Sequence, residues 1–133
     1  MQYMLIITQD ENAPGPAEGT PEFDAGRQSW IDYSRDMLQS GALVSGASLQ
    51  PTATATTVRQ AGGASTVTDG PFMESKEQLA GYYVIDVADL DAALEWAKKT
   101  PVGDGSVEIR PVSMMPDIQG MPQVAGTGMQ AGV

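Results

Sequence analysis

The stretch Thr68-Asp69-Gly70-Pro71-Phe72-Met73-Glu74-Ser75-Lys76 lies between two runs of apolar and polar residues, so it is predicted to connect two strands. Gly70 can take backbone angles that other residues avoid, and Pro71 fixes its own φ while keeping Gly70 out of the helical region. These residues, with Asp69 before them, predict a rigid turn. Phe72 is an aromatic residue where loops usually carry polar side chains. Its ring is therefore expected to cover a cavity or to meet a partner.

The chain before this stretch predicts a strand, a helix and a hairpin. Residues 3–7 are apolar throughout, which is typical of a central strand covered on both faces. Thr20 is the predicted N-cap of a helix that runs to about Ser40. Residues 43–46 are compatible with an extended backbone. Two runs rich in threonine and valine, at 54–59 and 65–68, flank Gly62-Gly63 and predict a hairpin.

One stripe of the first helix is predicted to face the core. Its members recur at spacings of three, four and seven residues. They are Phe23, Trp30, Ile31, Ser34, Met37 and Leu38.

After the Asp69 loop, residues 79–87 form the strongest predicted strand. Asp89 caps a second helix that ends at Thr100-Pro101, and residues 106–112 alternate as a last strand. The order is strand, helix, strand, strand, helix, strand, with the two middle strands joined through the Asp69 loop. This is the split βαβ arrangement of an α+β fold, an antiparallel sheet with both helices on one face. The other face is uncovered, and a second copy of the chain is the expected cover.

Length and composition limit the functional classes. The 133 residues form one domain, and the absence of cysteine and histidine excludes disulfides, thiolate nucleophiles and imidazole chemistry. No phosphate loop, Rossmann pattern or metal-ligand spacing occurs, so neither a cofactor nor a metal is expected. The net charge of −10 disfavours nucleic acid and anionic lipid. The N-terminal apolar run is too short for a signal peptide or a membrane span, which predicts a soluble, cytoplasmic protein.

The domain is predicted to cover residues 1–113. Residues 114–133 are rich in methionine, glycine and proline and are predicted to be a flexible tail. An arm that packs on a partner subunit is the alternative.

Several of these segments together resemble the YCII-related family, within it the branch named after its Asp-Gly-Pro-Phe motif, here Asp69 to Phe72. The likeness covers about Met1 to Met114. The matching pieces are residues 1–7, 49–59, 68–79, 81–87, 89–97 and 105–112.

The resemblance implies a ferredoxin-like subunit that pairs into a dimeric α/β barrel, and it implies no particular reaction. Bacterial relatives often lie beside sigma factors of the extracytoplasmic-function type, which hints at a regulatory setting. The wider family often carries a histidine on the first helix and an aspartate before a proline after the second. Trp30 and Thr100 stand at those positions here. An acid-base mechanism built on that pair does not carry over to this chain.

Asp69 is the best single candidate for a catalytic group. It is a carboxylate at a strand end in a fixed turn, and if the Phe72 ring folded over it, burial would make it a stronger base. The competing and favoured interpretation is that its side chain accepts backbone N–H bonds and caps the turn.

Aromatic residues and one cation are the candidate ligand-binding residues. Trp30, Tyr33, Phe72 and Tyr82 could line an apolar pocket, although alternation places Tyr82 and its neighbour Tyr83 on opposite sheet faces. Ordinary core packing is the favoured interpretation for the tryptophan and one tyrosine. Arg110 either holds an anionic ligand group or, as favoured, pairs with a carboxylate such as Asp69 or one close to Glu108.

Three functions remain open from the sequence. The favoured one is a small-ligand-binding or regulatory homodimer with a cleft beside the loop from Asp69 to Phe72. The second is an enzyme that uses Asp69 as a general base on a small molecule. The third is a purely structural or protein-interaction module. The first is preferred because histidine, the side chain best suited to base catalysis at neutral pH, is absent.

Overall fold

The computed structural model describes residues 1–116, in which six strands alternate with two α-helices. The elements in chain order are β1 (Gln2–Gln9), α1 (Pro21–Gln39), β2 (Leu43–Ser48), β3 (Thr56–Ala61), β4 (Ala64–Asp69), β5 (Gln78–Asp86), α2 (Leu90–Lys98) and β6 (Gly105–Pro111). A short 3₁₀ turn, Thr52–Thr54, stands between β2 and β3. The predicted flexible tail falls almost wholly on residues 117–133, which lie outside the described residues.

The main sheet has four antiparallel strands in the order β2-β5-β1-β6. Strand β1 lies inside the sheet, as its unbroken apolar run predicts, and β2 and β6 form the edges. The α+β fold with a split βαβ order is therefore confirmed.

The hairpin is confirmed as an element but not as part of the main sheet. Strands β3 and β4 pair only with each other, through a turn in which Gly62 and Gly63 have φ values of 57° and 80°. The place beside β5 belongs instead to β2, so the expectation that the Asp69 loop joins two strands of one sheet is wrong. The loop joins hairpin strand β4 to sheet strand β5. Strand propensity predicts an extended backbone and leaves its pairing partner open, which explains the difference.

Both helix starts follow from capping chemistry. The Phe23 N–H donates to Oγ1 of Thr20 (3.3 Å), and the Ala92 N–H donates to Oδ1 of Asp89 (2.9 Å). Each bond satisfies a donor that has no partner inside its helix. Because these signals are local, the sequence places both helices correctly.

The core lies between the helices and one face of the sheet. Its buried members from β1, β5, α1 and α2 are Tyr3, Leu5, Ile85, Tyr33, Met37 and Ala93. The predicted stripe of α1 is partly wrong, because Ile31 and Leu38 are exposed whereas Tyr33 is buried. Both helices thus cover the same sheet face, as the split βαβ arrangement requires.

The opposite sheet face carries apolar side chains that neither helix covers. Met4 and Ile6 of β1 and Tyr82 of β5 are half-buried there, and Val84 is buried among them. Glu108 and Arg110 of β6 lie opposite Ile6 and Met4 on this same face. We call it the open face. Neither helix within residues 1–116 combines the length and apolarity that a membrane span requires.

Candidate functional site

A groove of about 530 Å³ lies beside the loop from Asp69 to Phe72, and we call it the loop groove. Residues 49–52 and 54–55, which follow β2, form one wall. Residues 71–73 form another, and Ser75, Gln78 and Leu79 complete the lining. Its volume falls within the range of roughly 300–1,000 Å³ that is usual for small-molecule sites. Another concavity, of about 380 Å³ between α2 and β6, contains none of the predicted site residues.

The Asp69 loop is fixed at its base by two hydrogen bonds. The Gly70 N–H donates to the Ala55 carbonyl (2.8 Å), and the Thr57 hydroxyl donates to the Gly70 carbonyl (2.7 Å). Gly70 has a φ of +101°, a conformation that L side chains rarely adopt. The turn predicted from Asp69-Gly70-Pro71 is therefore present, and it holds Phe72 at a set position beside the groove.

The opposite wall is fixed by Glu11, which lies in the connection between β1 and α1. The carboxylate of Glu11 accepts hydrogen bonds from the Thr52 N–H (2.8 Å) and the Thr52 hydroxyl (2.7 Å). The Glu11 N–H in turn donates to Oε1 of Gln78 (2.9 Å). Through Glu11, these bonds tie the wall that contains Thr52 to the start of β5.

Four large apolar side chains that are exposed to solvent converge on the loop groove. Phe72 and Met73 expose 66% and 62% of their surface, and Leu49 and Leu79 each expose 47%. The guanidinium of Arg59 lies over the Phe72 ring, 5.2 Å from its centroid, which links the hairpin to the groove wall. Contiguous exposed apolar surface is a feature that ligand-binding and interaction sites share.

Asp69 itself is exposed at the end of β4, opposite Thr56. Phe72 does not fold over it, because that ring is largely exposed and contacts Arg59. The burial that a general base at this position requires is therefore not observed. A catalytic role for Asp69 stays a prediction that rests on sequence alone.

Two of the predicted ligand residues lie in the core. Tyr33 makes edge-to-face contacts with Trp30, Tyr83 and Trp96, at centroid distances of 6.1, 5.6 and 6.0 Å, and its hydroxyl donates to the Trp96 carbonyl (2.8 Å). Burial raises the pKa of the Tyr33 hydroxyl well above its usual value, and the neighbouring Tyr83 hydroxyl adds to this effect. Tyr33 is therefore a neutral donor that holds α1 to α2. The helix-side tyrosine of β5 is Tyr83, not Tyr82.

Tyr82 and Arg110 lie on the open face. Arg110 pairs with Glu108 on the same strand, with Nε and Oε2 separated by 3.3 Å, so a carboxylate pairing is present, although with Glu108 and not with Asp69. The structure thus distributes the predicted ligand residues over three places. Only Phe72 lies at the loop groove, and a ligand role for the others stays a prediction.

Sequence reasoning missed Leu49, Met73 and Leu79 as groove residues. The available signal was the pair of proline-containing segments Leu49-Gln50-Pro51 and Pro71-Phe72-Met73, each of which carries large apolar residues where a connection is expected. Within residues 1–116, no group of three or more acidic side chains is placed to hold a metal ion.

The fold and the loop groove together define a small α+β protein that carries an apolar groove beside an inserted hairpin. A family model, that of the YCII-related domain, matches residues 1–116. The chain belongs to this family. It is also similar to an uncharacterized protein of Rhizobium meliloti (strain 1021), with 43% identity over 117 residues that cover 86% of this chain and 94% of that protein.

Proposed function

We propose that the protein is a small-ligand-binding or regulatory homodimer of the cytoplasm, belonging to the Asp-Gly-Pro-Phe branch of the family, whose ligand binds in the loop groove. The observation that carries this proposal is the convergence of Leu49, Phe72, Met73 and Leu79 on one groove while each remains exposed. When a ligand removes such surface from water, the binding free energy gains roughly 25 cal/mol per Å² of buried apolar area.

The fixed walls of the groove support ligand binding further. Gly70 and Thr52 are held by hydrogen bonds to residues distant in sequence, so both walls are ordered before any ligand arrives. A site that is already formed loses less conformational entropy on binding than a flexible one.

The open face supports the dimer. Met4, Ile6 and Tyr82 form an apolar strip that neither helix covers, with the charged pair of Glu108 and Arg110 beside it. An apolar centre with a charged margin is the usual anatomy of an interface between subunits. A twofold axis would place two such faces against each other.

Thermal-shift screening of a metabolite library tests ligand binding. A ligand of the loop groove is expected to raise the melting temperature of the wild-type protein and to lose this effect in Phe72→Ala. Leu38→Ala is the matched control, since Leu38 is about as exposed as Phe72 but lies on α1. A ligand whose effect survives Phe72→Ala would not be bound in this groove. Enzymatic use of Asp69 predicts instead that Asp69→Asn folds normally and abolishes turnover.

Light scattering tests the dimer. The wild-type protein is expected to give the mass of two 14.0 kDa chains, and Tyr82→Asp on the open face is expected to give that of one. Leu38→Asp on α1 should stay dimeric. A wild-type mass near a single chain would refute the dimer and leave ligand binding to be judged by the thermal-shift result.

A further inference from the structure

The chemistry of the loop groove also indicates which class of ligand it takes, an inference that rests on the proposed ligand-binding function. The polar atoms of its lining are largely engaged within the protein. The Thr52 N–H and hydroxyl both donate to the Glu11 carboxylate, and the Thr54 hydroxyl donates to the Pro51 carbonyl (2.7 Å). A ligand could not use these donors without breaking an existing hydrogen bond.

Gln78 and Ser75 are engaged in the same way. Oε1 of Gln78 accepts the Glu11 N–H, while Nε2 donates to the Ser75 carbonyl. The Ser75 hydroxyl donates to the Glu77 carbonyl. Among the side chains of the lining, the exposed amide of Gln50 makes no hydrogen bond to another described residue and remains able to serve a ligand. The groove therefore offers a ligand mainly apolar surface and at most a few hydrogen bonds.

Charge points to the same class. The lining, within the described part of the chain, contains no charged side chain. The Glu11 carboxylate is hydrogen-bonded to Thr52 of the lining, and the whole chain carries a net charge of −10. An anionic ligand would meet a repulsive field without a cation in the lining itself to compensate the loss of its hydration. Arg59 contacts this wall, but its guanidinium lies over the Phe72 ring and is not part of the lining.

We propose that the loop groove binds an uncharged, mainly apolar small molecule, such as an aromatic compound, and discriminates against phosphate, carboxylate and sulfonate groups. Phe72, Met73, Leu49 and Leu79 supply the contact surface, and the Gln50 amide supplies one hydrogen bond to a polar substituent.

Two fluorescent probes that differ by one charged group test this proposal. Phenylnaphthylamine is neutral, whereas anilinonaphthalene sulfonate is its sulfonated analogue, and both become fluorescent in apolar surroundings. The neutral probe is expected to bind roughly tenfold more tightly than the sulfonate, a difference of about 1.4 kcal/mol. Equal or tighter binding of the sulfonate would overturn the proposed ligand class while leaving the groove as a binding site.

A pair of equally exposed residues shows whether the probe binds in this groove. Met73→Gln is expected to weaken binding of the neutral probe at least about fivefold, because apolar contact surface is lost. Leu38→Gln should leave the affinity unchanged, since Leu38 exposes 63% of its surface, against 62% for Met73, but lies on α1. Unchanged affinity in Met73→Gln would overturn both the ligand class and the proposed function of the groove.

A variant that introduces a charge separates charge from shape. Gln50→Lys places a cation on the wall and is expected to raise the ratio of sulfonate affinity to neutral-probe affinity relative to the wild-type protein; an unchanged ratio would mean that charge does not select the ligand. Arg59→Gln tests the neighbouring cation. If the sulfonate binds the wild-type protein well and binds Arg59→Gln poorly, the Arg59 guanidinium is an anion site and the proposed ligand class is wrong.

Discussion

Gly81→Ala is expected to destabilise the main sheet, although alanine is usually the better residue in a strand. Gly81 lies in β5 opposite Ile7 of β1 and Ser48 of β2. A Cβ added at Gly81 would lie 2.6 Å from the Ala47 carbonyl oxygen and 3.3 Å from Cα of Ser48. Both are backbone atoms of β2, so no side chain can rotate away and β2 itself must move.

The magnitude follows from two opposing effects. Replacing glycine inside a strand gains roughly 0.5–1 kcal/mol because the unfolded chain loses conformational freedom. An added methyl group in a tightly packed site costs about 1–3 kcal/mol when neighbouring backbone must shift. The overpacking is the larger effect at 2.6 Å, since real Cβ atoms essentially never approach another heavy atom so closely. We expect a net loss of about 1–2 kcal/mol in the free energy of unfolding.

Urea unfolding followed by tryptophan fluorescence measures this loss. The two tryptophans of the chain, Trp30 and Trp96, both pack against the core, so their emission reports on unfolding of the sheet and helices. Gly26→Ala is the matched control. It makes the same substitution on the exposed side of α1, where an added Cβ meets no atom within 4 Å, and should stabilise by up to about 1 kcal/mol.

Equal stability of Gly81→Ala and the wild-type protein would refute this reasoning, because it would mean that β2 yields to the added methyl group at no cost. Gly81→Ala should also weaken binding of the neutral probe, since β2 leads directly into Leu49 and the first wall of the groove. A destabilised variant with unchanged probe affinity would show that the groove wall does not depend on the pairing of β2 with β5.

Two further predictions concern the loop and the core. Gly70→Ala should lower the free energy of unfolding in urea by about 1–2 kcal/mol, because a φ of +101° is strained for alanine. The added Cβ meets no atom within 4 Å, so backbone strain is the sole expected cause. Wild-type stability of this variant would mean that the loop has another conformation. The raised pKa of Tyr33 makes the free energy of unfolding depend on pH. Its contribution is fully present below about pH 10, the pKa of tyrosine in the unfolded chain. Above that pH only the unfolded chain releases the proton, so the contribution falls as pH rises through the pKa of the folded state. Tyr33→Phe should remove this alkaline slope and cost about 1 kcal/mol at neutral pH through the lost bond to the Trp96 carbonyl, whereas Tyr82→Phe should retain the slope.

The features that the sequence predicts correctly are those with local causes. Thr20 and Asp89 mark helix starts because a capping bond spans only three residues. Gly62-Gly63 marks a hairpin because both glycines take positive φ. The rigid turn at Gly70 follows from the same reasoning.

The features that it misses depend on which segments meet. Whether β2 or the hairpin pairs with β5 is decided by contacts between segments that are distant along the chain, and strand propensity does not distinguish them. Residue type alone also does not separate a ligand residue from a core residue: Tyr33 lies in the core and Trp30 packs against it, as the core packing favoured for Trp30 predicts. The loop groove needs residues from both sides of the hairpin, and no single segment of the sequence carries its pattern.

The loop groove and the open face are joined through Leu79. The register of β1 and β5 shifts after Ile7, so Leu79 lies opposite Thr8. Thr8 alternates with Ile7 along β1 and therefore belongs to the open face. Leu79 also lines the loop groove. In the proposed dimer, a partner subunit that approaches the open face therefore comes close to the groove at this residue. A ligand that binds the paired and the single subunit with different affinity, because the surroundings of Leu79 differ between them, would link ligand binding to dimer formation, and each would then alter the apparent affinity of the other by the same factor. A ligand-dependent change in subunit association is thus the form of regulation that this arrangement permits. It needs no moving lid and no catalytic group, and it leaves Gly70, through its hydrogen bonds to Ala55 and Thr57, with the architectural task of holding Phe72 at the groove.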